Sequence, residues 1–273
     1  MKKYYTRACN FYYGSESKLR IKKKLSIPLN GNKLISFDSI EIINRKTKKI
    51  INIKKIKNLL KNLKKKVNSD LKNITKKKKF SNLKFNNIPL LMGILNITPD
   101  SFSDGGKFLK NNTAKNHVLE MIKDGVDIID IGGESTRPGA IDVDHKKEWK
   151  RIKSNLIFLN KKKSFISLDT RKSIIMEKSL QYKINIINDV SGFEYDNETI
   201  DFLKKYKKPF IIHHSKGNPK TMQINPKYDN VLLDIYDFFE KKLKLIRSKG
   251  INHNNIILDP GIGFGKNLKH NIT

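Results

Sequence analysis

Six short apolar segments in the C-terminal two thirds of the chain run directly into residues that can bind or react. They lead to Asn96, to Gly132-Gly133-Glu134-Ser135-Thr136-Arg137, to Asp169, to Asn188-Asp189, to His213-His214 and to Asp259. The types divide by chemistry. Carboxylates suit a ligand that offers N–H groups, because an ionised carboxylate only accepts and can take two neighbouring donors in a fork, as Asp259 could, while Asp169 with Asn188 supplies a mixed donor and acceptor set for further ring nitrogens. A Gly-Gly pair allows close backbone approach, and the Thr136 hydroxyl with the Arg137 guanidinium suits an anion such as a phosphate or carboxylate. Asn96 opens the loop NITPDSFSDGG, where it can give a neutral oxygen to a hard cation such as Mg²⁺. Asp104, later in that loop, can stabilise developing positive charge. Plainer roles compete at several positions: local turns for Asp100 and Asp104, helix capping for Asp169 and Asn188, and a turn before Pro260 for Asp259.

Such residues converge only if the intervening elements bring them together. The apolar segments, at residues 90–95, 126–131, 165–168, 184–187, 210–212 and 256–258, are rich in Ile, Leu and Val. Amphipathic stretches alternate with them near residues 113–123, 144–160, 172–181, 198–206 and 230–249, which predicts right-handed βαβ crossovers and a parallel sheet. Polar residues after nearly every strand favour a TIM-type (β/α)₈ barrel, where all C-terminal strand ends meet on one face. An open sheet gathers ligands only at its switch point. Six βα units are visible and the chain ends at Thr273, so the expectation is a barrel domain, residues 88–273, truncated at its C-terminus.

The segments LMGILNITPDSFSDGG, DIIDIGGESTRPGA, ISLDTRK, IINDVSG, GNPKTMQ and ILDPGIGFGKN together resemble the dihydropteroate synthase family of folate biosynthesis. The resemblance covers residues 88–271 in order. It implies condensation of a dihydropterin diphosphate with 4-aminobenzoate, releasing diphosphate. It further implies that Asp169, Asn188 and Asp259 read the pterin, that Asn96 contacts Mg²⁺, and that both loops close over the substrates. Phe102 and Pro138 would then lie near the aminobenzoate ring, with Thr136, Arg137 and Asp104 serving diphosphate departure. A homodimer is implied for a full-length chain. The family's later strand ending in Ser-Arg-Lys and its terminal Arg-x-His would lie beyond Thr273, so residues 1–273 alone are expected to be inactive. The competing readings are a pterin-binding methyltransferase domain and a degenerate pseudoenzyme with a nucleic-acid-binding extension.

Two adjacent histidines on a strand face opposite ways, so His213 and His214 cannot ligate one ion together; one lines the barrel and the other packs on a helix. The family commonly has His-Met there, so His214 departs from its pattern. Lys266 reads as a solvated loop lysine.

Residues 1–87 form a separate extension. A hairpin is predicted around Asn30-Gly31, followed by a basic amphipathic helix carrying Ile53, Ile56, Leu60, Leu63, Val67, Leu71 and Ile74, with its apolar side on the main domain. Lys76–Lys79 reads as a linker. The formal charge is +31, yet only seven of 57 basic residues are Arg and the chain is crowded with Ile and Asn. Those residue types have A/T-rich codons, so the charge reads as compositional drift rather than as a nucleic-acid surface. The single cysteine, Cys9, excludes an intrachain disulfide, and no apolar run approaches the roughly 18 residues of a membrane span, so the cytoplasm is expected.

Overall fold

The computed structural model describes residues 3–78, 89–98, 111–135, 140–217 and 221–273. Asp104, Phe102, Thr136, Arg137 and Pro138 lie outside these residues, as do Asp100 and the end of the lysine linker. The chain divides into two compact units, Met1–Lys79 and Phe80–Thr273.

The first unit is larger in β structure than its sequence suggests. Strand β1 (Tyr5–Tyr13) pairs antiparallel along β3 (Asn32–Ile43), whose other side takes β2 (Ile27–Leu29) and then β4 (Lys48–Asn52). The predicted turn is present: Asn30 and Gly31 both have positive φ, 50° and 69°, and they join β2 to β3. Helix α1 (Gly14–Lys22) links β1 to β2 and packs on β3. The expected long helix is instead a 3₁₀ turn, Ile53–Asn58, followed by α2 (Lys61–Thr75). Its apolar side is taken up within its own unit. Leu63, Val67, Leu71 and Ile74 cover Phe37, Ile40, Ile42 and Ile51 of the unit's own sheet, because that sheet has an apolar face that must be buried somewhere. Phe37 is fully buried there. Replacing it with Ala is expected to cost about 3–5 kcal/mol, read as lost hydrogen-exchange protection in β3.

The second unit holds β5 (Met92–Asn96), β6 (Ile128–Gly132), β7 (Ile166–Asp169), β8 (Ile184–Asp189), β9 (Phe210–His213) and β10 (Ile256–Asp259). They form one parallel sheet in sequence order, the six βα units of a TIM-type barrel. The crossover helices are α3 (Asn111–Lys123), α4 (His145–Lys161), α5 (Ser173–Ser179), α6 (Thr199–Tyr206) and α7 (Val231–Ser248), with a short α8 (Leu268–Asn271) after β10. One sheet face packs Leu95, Ile131, Leu168, Ile187 and Phe210 into a large core with helix residues such as Ile152, Leu156, Met176 and Leu203. The other carries a smaller apolar floor of Ile128, Ile186 and Ile211.

Every strand runs one or two residues further than its apolar segment. Asn96, Asp169, Asn188 and Asp259 are therefore strand residues with paired backbones, not loop residues. Hydrophobicity marks where a strand is buried by apolar neighbours, whereas the ladder continues for as long as the next strand offers a partner.

Candidate functional site

The ladder sets the site. Asn96 pairs with Gly132, Gly132 with Asp169, and Asp169 with Asn188, so these four share one row across β5 to β8. Alternation puts their side chains on the floor's face. Asp259 pairs with His213 one step further along β10 and β9, while Ile257 pairs with Ile211, the partner of Asn188. One step below the shared row sit Ile94, Asp130, Ser167 and Ile186.

Gly132 is the gap in this row. A Cβ there would lie 3.2 Å from Asp169 Oδ2 and 3.4 Å from Asn96 Oδ1. A side chain on β6 would press on both oxygens, so glycine leaves them room. Asp169 is 7% exposed and its Oδ1 has no hydrogen-bond partner, as is also true of Asn188 Oδ1 and Asp130 Oδ1. Capping does not account for Asp169 or Asn188: the N-caps of α5 and α6 are Lys172 and Glu198. Asp259 does serve a turn, its Oδ1 accepting from Gly261 N at 2.7 Å.

The electrostatics are those of acids kept out of water. Burial, and then the charge of Asp130, push Asp169 well above the ordinary carboxylate range. Burial also raises Asp130, against the hydrogen bond from Asn188, with Asp259 adding to the rise. An unpaired charge in a poorly solvated site favours its neutral form.

Three features here escaped the sequence. The first is Asp130, a lone carboxylate inside the apolar run DIIDIGG, at the inward alternation of β6; Asn188 Nδ2 donates to its Oδ2 at 3.0 Å. The second is a buried ion network behind the β6 and β7 ends. Glu134 takes Arg171 at 3.0 Å and Lys172 at 2.9 Å, and it accepts from Val143 N at 2.8 Å. Lys172 also reaches the fully buried Glu148 at 2.8 Å. Burial opposes the Lys172 charge, but Glu148 and Glu134 outweigh it and its pKa rises. Glu134 thus ties both ends of the segment that carries Thr136 and Arg137.

The third corrects an expectation. Lys266 is 4% exposed, not solvated. Its ammonium meets Gly261 O and Phe264 O at 2.9 Å, His214 Nδ1 at 3.1 Å and His214 O at 3.3 Å. Carbonyls turned inward by the glycine-rich turn collect around the cation. Burial lowers its pKa to about 8 despite the pull of Asp259. The histidines part as alternation requires. The His213 ring meets Phe264 edge-on at 4.6 Å and its Nδ1 bonds Val190 O, whereas His214 packs edge-on against Phe238 of α7 at 4.8 Å.

Residues 92–273 match the family described as pterin binding enzyme. The chain belongs to that family. It is 45% identical over 188 residues to the dihydropteroate synthase of Neisseria meningitidis serogroup C, covering 68% of this chain and 66% of the relative. Among solved structures, the dihydropteroate synthase of Yersinia pestis in a sulfonamide drug complex superposes with a TM-score of 0.65 at 39% identity, covering 70% of this chain and 69% of that one. That of Xanthomonas albilineans with 4-aminobenzoic acid gives 0.62 at 32% identity, covering 70% and 67%. The chain spans about two thirds of the length of the curated relatives it matches. Among the described residues no helix is long and apolar enough to cross a membrane, and no group of three or more His, Cys, Asp or Glu side chains could hold a metal.

The carboxylates make a testable demand on stability. A raised carboxylate pKa means the folded state holds its proton more tightly than the unfolded chain does. That stability is present in full below the unfolded value and is lost as pH rises through the folded one. Asp169→Asn keeps the shape and removes the ionisation. It is expected to melt higher than the parent at pH 8 and no higher at pH 4, by calorimetry at both values.

Proposed function

We propose that the protein, as a complete chain, is a dihydropteroate synthase, joining 6-hydroxymethyl-7,8-dihydropterin diphosphate to 4-aminobenzoate with release of diphosphate. One observation carries this reading: Asp169 and Asn188 present buried oxygens without partners on a single rim with Asp259 and Asn96. A flat ring with an edge rich in N–H groups is the kind of ligand that satisfies such a rim. The Asp259 carboxylate takes the two adjacent donors of the pterin's amidine-like edge, and Asp169 and Asn188 take the remaining nitrogens. The family membership and the similarity to dihydropteroate synthases support the same assignment.

Mg²⁺ is compatible with the donors present. Such an ion keeps water and phosphate ligands and needs only one or two protein oxygens, which Asn96 Oδ1 at the rim can give. When bound, it would neutralise charge on the leaving diphosphate. The chain's own residues do the rest. The rim holds the pterin in its plane. By resemblance to the family, Thr136 and Arg137 would serve the anionic oxygens, Asp104 the developing positive charge, and Phe102 and Pro138 the aminobenzoate ring. The arylamine then attacks the methylene carbon, and no covalent enzyme intermediate is needed. A homodimer in the cytoplasm is the setting we infer.

The test is diphosphate release by the complete chain. Release that depends on both the dihydropterin diphosphate and 4-aminobenzoate supports the reading; methyl transfer to a corrinoid with no such release overturns it in favour of the methyltransferase alternative. Asp259→Asn is expected to lower kcat/KM about 10- to 100-fold, the loss of one charge-assisted hydrogen bond. Gly132→Ala fills the gap between Asp169 and Asn96 without placing a side chain at positive φ. It is expected to lower kcat/KM by about 100-fold through misplacement of the ligand, with the melting temperature nearly unchanged.

A further inference from the structure

Of the three residues that read the pterin, Asp169, Asn188 and Asp259, one has an orientation that is not self-determined. A carboxylate presents oxygen whichever way it turns, but a carboxamide presents an oxygen at one end and two donors at the other. Asn188 therefore reads a ligand in opposite senses depending on its flip, and something must choose. The structure supplies the chooser. Asp130 lies two strands away and one step lower, with the small Ser167 on β7 between them, which leaves space for Asn188 to reach down. Asn188 Nδ2 donates to Asp130 Oδ2 at 3.0 Å, and Asn188 Oδ1 is left buried without a partner. Asp130 is itself 4% exposed, beneath the row of rim residues.

We propose that Asp130 is a positioning residue that locks the Asn188 carboxamide with its oxygen toward the ligand, so that Asp169, Asn188 and Asp259 all present acceptors. This rests on the reading of the rim as a pterin site and sharpens it. The ligand atom facing Asn188 must be an N–H group, and a heterocycle with a bare ring nitrogen or a carbonyl there is rejected. The mixed donor and acceptor set expected of Asp169 and Asn188 is replaced by a uniform one. Asp130 needs no ligand contact for this. It acts through Asn188, as second partners commonly fix the orientation of groups that touch a substrate.

The full-length protein and the variants D130N, N188D and D130N/N188D test it. D130N frees the carboxamide, and N188D sets two carboxylates against each other. Each is expected to weaken binding of 6-hydroxymethyl-7,8-dihydropterin about tenfold or more, the scale of a lost hydrogen bond to a charged group. The exchanged pair restores an amide beneath and an oxygen above, so it should bind to within about threefold of the parent and melt above N188D. In assays of turnover the pterin KM should rise while the 4-aminobenzoate KM stays put. A second readout needs no ligand: the Asn188 side-chain amide signal in ¹⁵N spectra should be displaced in the parent and move to the ordinary position in D130N. An unmoved signal, or an exchanged pair no better than the worse single variant, overturns the inference. A parent that binds no pterin overturns the reading of the site, while the amide signal still decides the role of Asp130.

Discussion

The structure turns on carboxylates that are almost wholly buried and that no cation among the described residues answers. Asp130 and Asp169 are more than nine-tenths buried at the ends of adjacent strands, and each has an oxygen without a partner. Burying a polar group without a hydrogen bond is unfavourable by roughly 1–3 kcal/mol in proteins. Such a cost persists only where the surroundings hold the groups in place. The surrounding order is provided by the parallel ladder and by the core of Ile, Leu and Phe on the opposite sheet face.

The cations present sit in other roles. Lys172 and Arg171 neutralise Glu134, and Lys172 also meets Glu148, behind the strand ends. Lys266 is taken up by carbonyls of the turn after β10 and by His214. Positive charge is thus used to fix the loops that border the site, and the rim itself keeps its acceptors open. That division makes physical sense for a pocket that must take up N–H donors, because an internal ion pair would compete with the ligand.

Much of this was legible in the sequence, and the parts that were not share a cause. All six strands and the five long helices of the second unit were marked by apolar runs and helical periodicity, and the residues at the rim by being polar where apolar runs stop. Asp130 was missed because it lies inside such a run, and one polar residue among isoleucines carries no local signal of what lies two strands away. Lys266 looked solvated for the opposite reason: its loop is polar, and nothing local shows that glycines turn the carbonyls inward around it. In the first unit the helix periodicity was visible, but periodicity names a face without naming its cover. That face went to the unit's own sheet, built partly from β1 and β4, whose alternation is weak. The loop residues Asp104, Phe102, Thr136, Arg137 and Pro138 rest on motif and resemblance alone.

The central claim is that the buried Asp169 carboxylate keeps an oxygen without a partner until a ligand brings donors. Proton exchange on binding tests it most directly. N–H groups from a pterin favour the ionised carboxylate, so binding should expel protons at pH values above the ordinary Asp range, where the free site still holds them. Calorimetry of 6-hydroxymethyl-7,8-dihydropterin binding in buffers of different ionisation enthalpy counts those protons. Net release that disappears in the Asp169→Asn variant is the expected result. Tight binding with no proton release anywhere in that range would mean that the acids were already satisfied, and would contradict the account.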